Sequence, residues 1–110
     1  MTPEQIAARL TPAQRRALLA MAATNASEEL AVYFRTIVAT GLIPASEVRR
    51  SVRSLARKGI AEYRRALWTE DGEPAGSGYG FTPLGLAVRA VLALTALVAA
   101  VAMAMHGWRD

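Results

Sequence analysis

A chain of 110 residues has room for one domain and one appended element. It contains no cysteine, which excludes a disulfide framework and a thiolate zinc site. The formal charge is +4, and seven basic residues lie between Pro44 and Arg65 against Glu47 and Glu62, a local excess that favours a polyanionic partner or an anionic membrane surface.

The N-terminus, MTPEQIAARL, has no basic region leading into an apolar one, so no cleavable secretory signal is expected. Three Thr-Pro pairs, at Thr2, Thr11 and Thr82, each mark a helix start, with Thr as N-cap and Pro where no N–H is needed. The first two continue into Gln5 and Gln14 and read as capping boxes. The first opens a short segment to Leu10, and the second a helix to about Ala23 with Ala17, Leu18, Met21 and Ala22 inward. Ser27 is positioned to cap a further helix, with Glu28 and Glu29 in its first turn, Leu30, Phe34, Ile37 and Val38 on its core face, and Gly41 at its end.

After the turn Gly41-Leu42-Ile43-Pro44 comes an amphipathic basic helix over about 45–58. Val48, Val52, Leu55 and Ala56 form its apolar back, and Arg49, Arg50, Arg53, Arg57 and Lys58 its cationic front. Such a helix can dock on a small core and offer guanidinium groups to phosphates or to base edges in a major groove. Gly59 suits its C-terminal cap. Ile60 to Trp68 is rich in β-compatible residues, TEDGEPAGSG reads as a long acidic loop, and Tyr79-Gly80-Phe81 as a short return strand. Tyr63, Trp68, Tyr79 and Phe81 are expected to pack this hairpin onto the core.

The turn glycine, the EVRRSVRSLARKG helix, the strand beginning IAEYRR, the Gly-rich tip and the YGFTPLG exit together resemble a winged helix-turn-helix domain of the MarR-like regulator kind, over roughly residues 10 to 89. The resemblance implies a mainly helical fold with a small β-hairpin, the basic helix entering the major groove of double-stranded DNA and the wing meeting the flanking backbone. Carried onto this sequence, it puts Arg49, Arg50, Arg53, Ser54 and Arg57 on the recognition helix and Arg64 and Arg65 on the first wing strand, with Lys58 adding to the DNA-binding cations from the front of that helix.

Beyond Arg89 the pattern changes. Ala90 to Met105 holds no charge and Thr95 as its one polar residue, and the run extended to Trp108 measures about 28 Å as a helix, close to the roughly 30 Å of a hydrocarbon core. Residues 90–108 are thus expected to form a C-terminal hydrophobic helix. Two roles suit it: a membrane anchor that holds the basic domain at the cytoplasmic face of the inner membrane, or a dimerisation helix in a cytoplasmic homodimer. The small surface of the domain favours the anchor, while Ala96, Ala100 and Ala104 make a small-residue face suited to close self-packing in either setting.

Nothing in the sequence points to an enzyme or a cofactor. His106 is a lone histidine near the end of the tail, and GEPAGSGYG lacks the lysine and following helix of a phosphate loop. The expected function is a winged-helix transcriptional regulator, tethered or dimerised through its last helix. The alternatives are a membrane-anchored protein-interaction module and a small phage-type accessory protein without DNA binding.

Overall fold

The computed structural model describes residues 1–68 and 74–107, with the backbone alone for 66–68, 74, 75 and 107. The acidic residues Glu70, Asp71 and Glu73, together with Trp108, lie outside the described residues. In chain order the elements are α1 (Pro3–Ala8), α2 (Pro12–Ala22), α3 (Phe34–Val38), α4 (Ala45–Arg57), β1 (Ala61–Trp68), β2 (Pro74–Phe81) and α5 (Pro83–Gly107).

All three Thr-Pro pairs start helices. Thr2 and Thr11 each accept the N–H of the glutamine three residues on, and each glutamine side chain accepts the N–H of its threonine. The Thr82 hydroxyl accepts the Gly85 N–H at 2.9 Å. At the end of α4 the Ile60 N–H reaches Leu55 O and the Gly59 N–H reaches Ala56 O, both at 3.0 Å, with Gly59 at φ +78°. This is a Schellman closure, and it places the fully buried Ile60 beside Leu55 in the core.

Two expectations need correcting. The helix expected from Ser27 to Gly41 is confined to Phe34–Val38. Ser27 closes a turn instead, its hydroxyl accepting the Glu29 and Leu30 N–H groups at 3.2 and 2.9 Å, and Leu30 lies 48% exposed. The competing interaction comes from far along the chain. Val32 exchanges both backbone hydrogen bonds with Tyr79, at 2.8 and 2.9 Å, which adds an antiparallel bridge to the wing and holds the chain extended. The return strand is also longer than Tyr79–Phe81, beginning at Pro74. Its PAGSG run has little β-propensity of its own, yet Gly78 pairs with Arg64 and admits the Val32 backbone, where a Cβ would fall 2.4 Å from Val32 O.

Leu18, Met21, Ile37, Val52, Leu55, Ile60, Phe81 and Val88 make the fully buried centre of the core. α5 runs unbroken across position 89 and behaves as two segments. Its start is pressed so closely on the Ile60 carbonyl that a Cβ at Gly85 would fall 2.0 Å away, and α1 packs along its side. Val91 and Leu92 are the last of its residues packed against the core; every residue from Ala93 to His106 is exposed. The helix projects from the body and sets the 58 Å long axis of a molecule 29 by 26 Å across.

Candidate nucleic-acid interface

α4 sits between α2, α3 and the wing with Val48, Ser51, Val52 and Leu55 buried. Because those four share one side of a 3.6-residue helix, Arg49, Arg50, Arg53 and Arg57 must face outward, and all four are exposed. Arg49 and Arg53 line the flank towards the wing, Arg50 and Arg57 the flank towards α2.

The wing-side flank is a cleft of about 390 Å³ bounded by Tyr33, Phe34, Arg35, Arg49, Arg53, Tyr63, Ser77, Gly78 and Tyr79. Its floor is aromatic: Tyr79 stacks on Phe34 with ring centroids 5.5 Å apart and meets Tyr63 at 5.3 Å. Arginines lie over these rings, Arg35 at 4.5 Å from the Tyr33 centroid, Arg49 at 5.3 Å from Phe34, and Arg65 at 5.9 Å from Tyr63. Each contact is worth about 0.5–1 kcal/mol at an exposed site and consumes none of the five guanidinium N–H donors. The rings therefore order the cations while leaving them able to bind oxyanions. The expected hairpin cluster is redrawn accordingly: Tyr79 joins Phe34 and a 47% exposed Tyr63, whereas Phe81 is in the core.

Three cations or polar groups expected on this surface make internal contacts. Ser54 accepts a hydrogen bond from the Gln14 side chain, and Lys58 Nζ donates to Gln14 Oε1 at 3.0 Å, so both brace α4 to α2 through one 7% exposed glutamine. Arg64 lies across β2, its Nη2 donating to Phe81 O at 3.2 Å and pairing with Glu62 at 3.5 Å. Arg65, on the opposite face of β1, is exposed. Arg35 is the basic residue that sequence reading missed. Inside the expected long helix it had no assigned face; the extended segment at Val32 and the short α3 bring it to the cleft.

No protein-family profile matches the sequence, and no curated protein matches it. Solved structures do resemble it. A MarR-family transcription regulator superposes on 96% of this chain and 62% of its own length at 18% identity, with a TM-score of 0.68. A single-substitution variant of S. aureus MepR covers 87% of this chain and 66% of its own, at 15% identity and a TM-score of 0.58. A candidate DNA-binding protein from Ralstonia eutropha JMP134 covers 76% of this chain and 96% of its own, at 21% identity and a TM-score of 0.54. The chain thus spans less than two thirds of the length of the first two. At these identities the likeness concerns the fold, which is the winged helix of MarR-like regulators.

Proposed function

We propose that the chain is a transcriptional regulator that binds double-stranded DNA by setting α4 into the major groove. The observation that carries this reading is the division of α4 into a buried apolar back and an exposed face bearing four arginines, on the helix a winged-helix fold presents outward. Arg53, Arg57 and Arg65 serve as phosphate contacts, and Arg49 and Arg50, one turn from the helix start, are the residues placed to read guanine edges. Ser54 and Lys58 brace α4 to α2 through Gln14, and Arg64 braces β2. Binding of the full chain to labelled duplex DNA should weaken steeply with salt. Arg57→Ala should lower affinity for all sequences and flatten the salt slope, whereas Arg50→Ala should relax sequence preference. A folded chain that binds no duplex at low salt refutes the reading.

α5 pairs two copies in this proposal, presenting two recognition helices to two half-sites in the cytoplasm. Two observations favour pairing. A superposition over 96% of the chain takes in most of the 25-residue α5, so this helix has a counterpart in a transcription regulator. The exposed stretch 93–106 also spans only about 21 Å as a helix, short of the roughly 30 Å of a hydrocarbon core. The membrane reading draws on Pro83–His106, a 24-residue run containing an 18-residue window of mean hydropathy 2.3, whose first ten residues lie on or against the body. Sedimentation without detergent as a discrete dimer supports pairing; flotation of the full chain with vesicles supports the anchor.

A further inference from the structure

The two arginine pairs of α4 occupy flanks roughly 70° apart around the helix axis, and the flank away from the wing has a construction of its own. Here a cleft of about 280 Å³ opens between α4 and the first turn of α2, lined by Arg50, Ser51, Ser54 and Arg57 on one side and Thr11, Ala13 and Gln14 on the other, with Gln14 and Ser54 hydrogen-bonded to each other. We infer that this cleft is a binding site for a DNA backbone phosphate, on the strand opposite the one the wing-side cleft meets. The inference rests on the DNA-binding reading above.

The first turn of α2 leaves one donor over. Pro12 has no N–H, Gln14 N–H is taken by the Thr11 hydroxyl at 3.1 Å, and Arg15 N–H by Thr11 O at 2.9 Å. The Ala13 N–H is left without a partner among the described residues, at the positive end of an 11-residue helix. Ser51 is the second observation. It is only 4% exposed, on the inner side of α4, and its hydroxyl has no hydrogen-bond partner among the described residues. No sealed side-chain oxygen or nitrogen is left unpaired there, so the Ser51 hydroxyl reaches the cleft it lines. A buried hydroxyl with a free donor, aimed into a cleft, is a group awaiting an acceptor.

Arg57 completes the donor set, and Arg50, a guanine-reading residue of the proposal above, borders the same opening. Unlike Arg49 they lie over no aromatic ring, and unlike Arg16 they form no ion pair among the described residues. A guanidinium group, a hydroxyl and a helix-start N–H around one opening suit a tetrahedral oxyanion. A helix lying in a major groove has a phosphate backbone on each side, and α4 carries a cationic cleft on each side.

Amide spectra of the 15N-labelled full chain test this, titrated first with inorganic phosphate and then with duplex DNA at low salt. The Ala13 amide should shift in both titrations. Arg57→Ala should weaken the phosphate response about tenfold and reduce the slope of log affinity against log salt by about one unit. Ser51→Ala, which removes one oxygen and leaves the packing, should weaken the phosphate response a few-fold with the rest of the spectrum unchanged. DNA binding that leaves Ala13 unmoved, with Ser51→Ala matching the wild type in the phosphate titration, overturns this inference alone. A folded chain that binds no DNA overturns the DNA-binding reading and this site with it.

Discussion

α4 and α5 are the two long helices of the molecule, and they differ in how their composition relates to their surroundings. α4 has an apolar back and a cationic front, so its position follows from its own pattern: the back must be covered and the front must be wet. α5 is apolar all round, so its pattern says that it must be covered and is silent about by what. In the fold its first ten residues find the core of their own chain, and the remainder finds nothing within it. An amphipathic helix carries its address in sequence; a uniformly apolar one takes its address from a partner.

The contrast can be broken most completely at α5. Truncation after Leu92 removes the exposed stretch and no residue that packs on the core, so under the pairing proposal it should turn the dimer into a folded monomer, read by sedimentation velocity beside the full chain. Retention of the dimer would move the pairing surface elsewhere. Gly85→Ala attacks the docked segment, where a Cβ would meet the Ile60 carbonyl. The helix must shift to admit it, at a cost of about 1–3 kcal/mol, and thermal melting should show a lowered Tm. On α4 the sharpest internal test is Gln14→Met, which leaves the Thr11 N–H, Ser54 and Lys58 without their common partner. Water reaches part of this site, so we expect a loss of about 1–2 kcal/mol in denaturant titration. The smallest effect belongs to Arg16→Ala. Its exposed 3.1 Å pair with Glu47 also joins α2 to α4, but screening holds the expected change below about 0.5 kcal/mol. A larger loss would make Arg16 a support of the α4 surface comparable with Gln14.

Much of the candidate interface could be read before the fold was known. Arg49, Arg50, Arg53 and Arg57 project outward because Val48, Val52 and Leu55 recur on the far side of the same helix, which periodicity alone reveals. Lys58 was placed on the surface by the same reasoning, Ser54 and Arg64 by the resemblance to a winged helix, and the internal contacts of all three escaped both. Gln14 lies 40 residues from Ser54 and 44 from Lys58, and the carbonyl of Ser27 that faces Arg64 lies 37 residues back. Long cationic side chains reach inward or outward from one Cα position, so their periodicity does not decide which way they turn.

The sequence by itself determined the helix starts at Thr2, Thr11 and Thr82, the stop at Gly59, the split character of α4 and the existence of the hairpin. The starts and the stop depend on groups within about five residues of one another, and the split of α4 and the hairpin on residue patterns within one continuous stretch, whose geometry is the same wherever the segment lies. The tertiary structure alone decided that Val32 joins the wing rather than a helix, that Gly78 and Gly85 sit where other backbone closes in, and that the arginines of α4 divide between two clefts. These outcomes depend on which segment arrives opposite. A bridge between Val32 and Tyr79 outweighs a local helical preference because it satisfies both backbone groups of a buried residue at once.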